Sequence, residues 1–333
     1  MDEVPFVFME RVVSLLRTDE DQIHKLFTPV GGLWKTAAKE LRANYHSVEA
    51  LISAGDNSMS VTKQSPGQDG FEAFEEPNQY SLDVFLSIYD NHDDWSDDGS
   101  PKPKSERITE KRLKQIAHLP SKGGQRSQFM AEDLSSDGNE VFDFGDLLRN
   151  IQVSFSSVGM WRCYGYSQEI EGFLQNLIPK RTCDSFTFSD VDLTPACVDL
   201  LMDAWDAWTP NQRRISKFQT GVISIENCTR ALTKAHISRV LNSWCEGRGG
   251  RKLETSPLEF RDIETFCKTF EIHEPDWKVE VMEGRRLAGA YANSFHILRH
   301  QKTGTAIRVD YVDSALSDKL QLMLLCDKSS GNV

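Results

Sequence analysis

The sequence lacks the features that define several large classes of protein. No apolar run approaches the roughly 18–20 residues of a membrane-spanning helix, so we expect no membrane span. The cysteines are seven, an odd number, and none stands in a C-x-x-C pair, which argues against a disulfide framework and against a zinc site. Reduced, mostly buried thiols in an intracellular protein fit this usage best.

The N-terminal residues and the net charge limit the expected cellular location of the protein and the kinds of partner it can bind. Asp2, Glu3 and Glu10 stand where a secretory signal peptide would carry positive charge, so we expect a cytoplasmic or nuclear protein. The 333 residues include 38 Lys+Arg against 50 Asp+Glu, a net charge of −12. This acidic balance argues against broad binding to nucleic-acid phosphates, which requires clustered positive charge.

Motifs that carry catalysis or bind metals are also missing. The chain contains no G-x-G-x-x-G, G-x-S-x-G or H-E-x-x-H motif. His296 and His300 have a metal-ligand spacing for a helix but fall in a strand-like segment without a third ligand, which favours a solvated hairpin pair. The acidic residues at 93–98 lack the order of an EF-hand loop. We therefore expect a non-enzymatic protein with no catalytic residues, metal or cofactor.

Residues 1–50 have the pattern of three short helices. Met9, Val12, Val13 and Leu16 follow the i, i+3, i+4, i+7 spacing of one helical face. A second helix carries Ile23, Leu26 and Phe27, and a third carries Trp34, Ala37, Ala38 and Leu41 after a break at Pro29 and Gly31-Gly32. Three helices of this length bury little apolar surface by themselves, so the module needs a neighbour or a partner.

The next two segments contrast in composition. Residues 51–90 form a connector whose alternating apolar residues at 80–89 favour a strand, with a helix left open. Residues 91–140 form an acidic, then basic, then acidic stretch with few apolar residues, which we interpret as a flexible charged insertion. A short helix around 109–118, using Leu113 and Ile116, remains an alternative within it.

Residues 145–333 form a regular body with an internal repeat. Leu193-Thr194-Pro195-Ala196 and Leu232-Thr233-Lys234-Ala235 match at an offset of 39, and the helices that follow match as far as Trp205 and Trp244. Thr is a natural N-cap in both, and core packing is the favoured role of both tryptophans. Two more helices are predicted, one after Ser167 and one over 263–270.

Strand-like runs at 151–155, 185–188, 222–225 and 258–260 precede or alternate with these helices. Strand–helix units in series imply parallel strands. The C-terminus predicts a β-hairpin over 295–311, followed by an edge strand or a helix at 315–325. The fold class is thus α/β: an N-terminal three-helix module, then an irregular leucine-rich-repeat-like βα stack that ends in a β-hairpin, with a compact open α/β sheet as the alternative.

The N-terminal module resembles an F-box. In that motif a Leu-Pro pair, an apolar helix, a short acidic-started helix and a Trp-bearing third helix follow one another, and Val4-Pro5, Val12, Val13, Leu16, Ile23, Leu26 and Trp34 occupy the corresponding places. The order of an F-box-like module and an α/β repeat body is similar to that of the divergent F-box-like families of nematodes.

The resemblance implies a substrate-recognition protein of a cullin-based ubiquitin ligase. Its adaptor-binding residues would be Val4, Pro5, Val12, Val13, Leu16, Ile23, Leu26 and Trp34, its partners a Skp-type adaptor and an unidentified protein substrate. Two alternatives stay open. One is an interaction scaffold without a ubiquitin link, in which the N-terminal helices cap the repeat body. The other is an α/β enzyme whose site is assembled from residues scattered in sequence.

Overall fold

The structure, a computed structural model, divides into two units, residues 1–183 and residues 184–333, which are described separately. It describes residues 32, 34–36, 46–64, 72–73, 81–90, 105–119, 127–137, 142–207, 221–228, 233–245, 251–258, 263–273, 275–282, 295–302, 306–314 and 317–325.

The first unit is built on a sheet whose main strands are parallel. Its strands are β1 (His46–Ser53), β2 (Ser58–Gln64), β3 (Glu72–Ala73), β4 (Ser81–Tyr89), β5 (Glu106–Arg107), β6 (Gln128–Glu132) and β7 (Ser157–Trp161). β1, β4, β6 and β7 pair in parallel in that order. β2 pairs antiparallel with β1, and the short β3 and β5 pair with β2.

Two boundaries predicted from the sequence can be compared with these strands. The alternating stretch at 80–89 is a strand, as predicted, and forms β4. The helical module was expected to extend to residue 50, but β1 begins at His46, where a run of alternating buried residues starts. Of the predicted module, the structure describes residue 32 and residues 34–36, which are helical; its other residues before 46 lie outside the described part of the chain.

The first unit contains helices α1 (Glu110–Ala117), α2 (Phe144–Asn150) and α3 (Ser167–Leu177), with a 3-10 turn at Ile178–Lys180. Side chains cap the first two: Thr109 Oγ1 accepts from the Arg112 amide at 3.3 Å and Asp143 Oδ1 accepts from the Asp146 amide at 2.8 Å. The predicted cap of α3, Ser167, is instead its first helical residue, and Tyr166 occupies the N-cap position without a side-chain bond.

Within the stretch expected to be a flexible insertion, residues 91–140, the structure places both α1 and a core strand, β6. The charged residues of α1 lie on its exposed side, while Ile116 and Ala117 are buried. Phe129 and Ala131 of β6 are also buried. The composition is misleading here because most apolar residues of 105–119 and 127–137 are buried. The short helix left open at 109–118 is present as α1, and the expected lack of order is wrong for these described residues.

The prediction of a strand at 151–155 is also wrong. This segment is extended, and Ile151, Val153 and Phe155 are buried, but the strand of the sheet is β7, which begins at Ser157. The polar groups of Gln152 bond elsewhere: its amide donates to the Ala117 carbonyl at 2.8 Å and its carbonyl accepts from Lys180 Nζ at 2.8 Å. The alternation in sequence therefore reflects one-sided burial of a connection.

An aromatic cluster lies between the sheet and helices α2 and α3. The Phe129 ring centroid is 5.2 Å from that of Phe173, 5.4 Å from that of Phe155 and 6.5 Å from that of Phe144. All four rings are almost fully buried. Such clusters supply much of the apolar burial that stabilises a domain.

The second unit begins with the strand–helix repeat predicted from the sequence. Its elements are β8 (Ser185–Ser189), α4 (Pro195–Ala207), β9 (Gly221–Glu226), α5 (Lys234–Cys245), β10 (Arg251–Leu258) and α6 (Ile263–Thr269). β8, β9 and β10 pair in parallel. Thr194 caps α4, with its Oγ1 accepting from the Cys197 amide at 3.1 Å, and Trp205 is fully buried, as predicted. Of the weak strand predicted near 258–260, Leu258 is the last residue of β10, and residues 259–260 lie outside the described part of the chain.

The unit ends in antiparallel strands. β11 (Trp277–Met282), β12 (Phe295–His300), β13 (Ala306–Ser314) and β14 (Ser317–Leu325) form a meander. The predicted hairpin is present as β12 and β13. Of the segment at 315–325, the described residues 317–325 form the strand β14, which does not lie at an edge because it pairs with both β13 and β10.

The chain is therefore a mixed α/β protein with mostly parallel strands in its strand–helix segments. Cys163, Cys183, Cys197 and Cys228 are buried and Cys267 is half-buried, so the expected burial of most cysteines is confirmed for these described residues. Among the helices that the structure describes, none has the length and apolar character needed to cross a membrane.

Candidate functional site

Most of the residues predicted to bind an adaptor lie outside the described part of the chain. This applies to Val4, Pro5, Val12, Val13, Leu16, Ile23 and Leu26. Trp34 is described and lies half-buried in the helical stretch 34–36. The geometry of that site therefore stays a prediction, and the candidate site described next was not predicted from the sequence.

The two faces of the parallel sheet in the first unit differ sharply. On one face the side chains of β1, β4, β6 and β7 are at most 1% exposed: Val48, Ala50, Ile52, Val84, Leu86, Ile88, Phe129, Ala131, Val158 and Met160. Because the parallel strands follow one another across the sheet in chain order, right-handed crossovers place their helices on a single face. The apolar face is thus the one beneath the helices.

We call the opposite side the open face. The registers of β2, β1, β4, β6 and β7 arrange its side chains in three rows. The first row is Thr62, Glu49, Phe85, Gln128 and Ser157; the second is Ser60, Leu51, Ser87, Met130 and Gly159; the third is Ser58, Ser53, Tyr89, Glu132 and Trp161. Most of these side chains from β4, β6 and β7 keep part of their surface accessible, and Gln128 is exposed.

The Tyr89 phenol, which is 7% exposed, is close enough to two carboxylates, Glu49 and Glu132, to interact with them electrostatically. Burial, together with the carboxylates of Glu49 and Glu132, which disfavour a phenolate beside them, raises the pKa of Tyr89 to about 12. Glu132 is the direct neighbour of Tyr89 in the register of β4 and β6. The Glu49 carboxyl also has a raised pKa, because it is partly removed from water. The electrostatic potential around the Tyr89 phenol is therefore negative.

The Trp161 indole lies along this face across a glycine. A Cβ built on Gly159 would stand 2.1 Å from the Trp161 Cη2 atom and 2.5 Å from its Cζ3 atom. Real atoms do not approach this closely, so the indole occupies the space that any larger residue at 159 would need. Gly159 thus permits the ring to lie flat against the strand with part of its surface accessible.

An arginine holds one of the carboxylates in place at the end of the strands. Arg162 Nη2 donates to Glu132 Oε1 at 2.6 Å and to Asp133 Oδ2 at 2.7 Å, and its Nε donates to Asp133 Oδ1. The guanidinium lowers the pKa of the Asp133 carboxyl. A planar guanidinium bonded to two carboxylates orients both, so Glu132 has a fixed position beside Tyr89.

The residue after each of four strands has a left-handed backbone. These residues are Asp133, Arg162, Asp190 and Asn227, with φ between 50° and 58°, and they follow β6, β7, β8 and β9. The next residue is buried in each case: Leu134, Cys163, Val191 and Cys228. The two cysteines share a local bond, because each Sγ lies 3.3–3.4 Å from the carbonyl two residues earlier. We call these positions the strand-end kinks.

Two histidines outside the open face, His300 and His236, contact neighbouring side chains of the fold. His300 is buried, and its ring centroid is 4.9 Å from that of Trp277. The prediction that His296 and His300 form a solvated pair is therefore wrong, because His300 is not exposed to solvent. His236 Nε2 is 3.0 Å from Asp199 Oδ1, and its Nδ1 accepts from the Thr233 amide at 3.0 Å, which joins α4 to the first turn of α5. Within the described ranges no group of three or more His, Cys, Asp and Glu side chains could hold a metal ion.

The open face combines flat aromatic surface, hydroxyls and oriented carboxylates on a rigid sheet. Side chains of this kind bind other molecules through shape and charge. The sequence carries no motif for the face because its members alternate with the core residues of each strand. Comparison of the chain with models of protein families, with curated proteins and with solved structures finds no match.

Proposed function

We propose that this chain is a non-enzymatic substrate-recognition protein. Its strand–helix units form a leucine-rich-repeat-like stack whose open face binds a protein substrate. Its N-terminal F-box-like segment binds a Skp-type adaptor and so connects the substrate to a cullin-based ubiquitin ligase. The alternative is an interaction scaffold without a ubiquitin link, in which the N-terminal helices cap the stack.

The observation that carries the proposal is the asymmetry of the first-unit sheet. The helix-covered face is completely buried, whereas the other face of the same strands has accessible aromatic, hydroxyl and acidic side chains. Strand–helix proteins wound in one direction use such a face for binding, because nothing in their own topology needs to cover it. Holding a target near another enzyme requires affinity and position only, without bond chemistry.

The strand-end kinks support the repeat-like part of the proposal. Leucine-rich repeats place a buried Asn or Cys shortly after the strand, and Cys163 and Cys228 lie at that place after β7 and β9. Their thiols are bonded to the carbonyl two residues before them. The absence of the Asn-bearing consensus from the sequence is thus compatible with a repeat of the cysteine-bearing kind.

The adaptor part is tested with the full chain and a purified Skp-type adaptor. Complex formation is measured by size-exclusion chromatography and by isothermal titration calorimetry. The double variant Pro5→Ala with Val13→Asp should lose the complex, because it places a charge on the predicted apolar face of the first helix. Ser14→Asp adds the same charge on the opposite side by helical periodicity and should retain it.

Circular dichroism and thermal unfolding of each variant establish that the body stays folded. If the unaltered chain forms no complex with the adaptor, the ubiquitin-ligase role is refuted and the scaffold alternative takes its place. Equal loss in the Ser14→Asp variant would likewise contradict the assignment of the binding face to Val12, Val13 and Leu16.

A further inference from the structure

The open face contains one carboxylate that the protein leaves without a cation. Among the described residues, Glu132 is ion-paired to Arg162, whereas Glu49 forms no ion pair. Glu49 is nevertheless partly buried, with Thr62 and Phe85 as its neighbours on the adjacent strands. A half-buried carboxylate without a partner is unfavourable for the isolated protein, and an external cation would remove that cost.

Charge around this carboxylate favours a cation over an anion. Glu49 and Glu132 both act on the Tyr89 phenol, and Asp133 adjoins Glu132, while Arg162 supplies one positive charge against these carboxylates. The excess is therefore negative at the site, as it is for the whole chain, whose net charge is −12. An acidic patch on an acidic protein attracts basic partners and repels acidic ones.

The aromatic and apolar residues beside the carboxylates fit the rest of a basic side chain. The half-buried Phe85 ring is the direct neighbour of Glu49 on β4, and the Trp161 indole, part of which is accessible, lies in the third row beside Glu132. Aromatic faces bind ammonium and guanidinium groups through their π-electrons. Met130, Phe85 and Leu51 supply apolar surface for the aliphatic stem of Lys or Arg. Long basic side chains bury this stem while their charged group stays in polar surroundings.

From these observations we infer that the open face binds a protein segment in which a Lys or Arg is flanked by apolar residues, with the basic side chain at Glu49 and the flanking residues along Phe85, Met130 and Trp161. This inference rests on the proposed function, because it names the chemistry of the substrate that the open face would recognise. The apolar neighbours of the Lys or Arg contact Phe85, Met130 and the Trp161 indole, which are half-buried in the isolated protein.

The test uses the full chain as bait for a bead-displayed library of randomised peptides of about eight residues. Such peptides span about 27 Å when extended, which exceeds the width of five strands spaced by about 4.8 Å. The chain should enrich peptides with Lys or Arg between apolar residues. Glu49→Gln should weaken binding of the enriched peptides about tenfold, and Glu49→Lys should change the selection to Asp or Glu.

Two further variants separate this site from the rest of the surface. Gly159→Ala displaces the indole, since its Cβ would overlap Trp161, and should weaken the same peptides. Glu110→Gln removes an equal charge from helix α1, where the carboxylate is exposed, and should leave binding unchanged. Thermal unfolding accompanies each variant; Glu49→Gln should not lower the unfolding temperature at neutral pH, because it removes a partly desolvated charge.

The outcomes distinguish the inference from the proposed function. Peptides that lack Lys and Arg but lose binding in Gly159→Ala would overturn the basic-segment inference and leave the open face as a recognition surface. Peptides that are indifferent to every open-face variant, or no enrichment at all, would overturn both the inference and the recognition role of the face. Adaptor binding by the N-terminal segment is measured separately and does not depend on this result.

Discussion

Two adjacent residues of β6 allow a direct test of the two-faced sheet. Phe129 points into the helix-covered core, where it is 1% exposed and lies among three aromatic rings, while Met130 points to the open face and is half-buried. Removing a buried phenyl ring costs about 3–5 kcal/mol, through lost apolar burial and the cavity that remains. Removing a half-buried side chain costs about 1 kcal/mol.

Phe129→Ala should therefore lower the unfolding temperature of the first unit by about 6–20 °C, and Met130→Ala by about 2–4 °C. Differential scanning calorimetry measures both, and amide hydrogen exchange of β6 assigns the effect to the first unit. The two substitutions affect neighbouring residues of one strand, so they compare the two faces at the same place in the sheet, although the side chains removed differ in size. A loss for Met130→Ala that equals the loss for Phe129→Ala would refute the reasoning, because it would mean that the open face is a second core.

Three further results are expected. Burial raises the Glu49 pKa, so the folded state holds the carboxyl proton more tightly than the unfolded chain does. Stability therefore falls as pH rises from the ordinary pKa of 4.5 through the raised pKa of the folded state. Glu49→Gln should raise the unfolding temperature at about pH 7 and have no effect below the ordinary pKa of 4.5. Thr194→Ala should lower the free energy of unfolding in urea by about 1 kcal/mol through loss of the α4 cap, and Thr194→Ser should retain most of that stability. Cys163 and Cys228, whose pKa values burial raises to about 12 and about 11, should stay unlabelled by iodoacetamide at about pH 8 until the chain is denatured, as peptide mapping would show; labelling of the native protein would contradict their burial.

The elements that could be predicted are those whose pattern is local. The offset of 39 between Thr194 and Thr233 correctly predicted two capped helices, because an N-cap and an apolar face lie within one short segment. β6 was missed because Phe129 and Ala131 are its only fully core-facing residues, and the charged segments on either side dominate the composition. Strand pairing adds long-range contacts that a local pattern does not contain.

The open face was beyond prediction for a related physical reason. Glu49, Tyr89 and Trp161 come from three strands that are far apart in sequence, and they share one face only because β1, β4, β6 and β7 pair in one order and register. Each of them alternates with core residues, so the strong signal of the apolar positions conceals them. Gly159 is the one residue that indicates this face locally, since glycine inside a strand often marks a close approach to another group.

The strand-end kinks have a consequence for how such a protein can change over evolutionary time. Each kink turns the chain out of the sheet at a fixed place, whatever the length of the segment that brings it back to the next strand. The spacing between successive kinks is accordingly unequal along the chain, without a break in the parallel pairing of β6 with β7 or of β8 with β9. Residues can thus be inserted or deleted in the returning segments while the registers of the strands, and the side chains they align, are preserved.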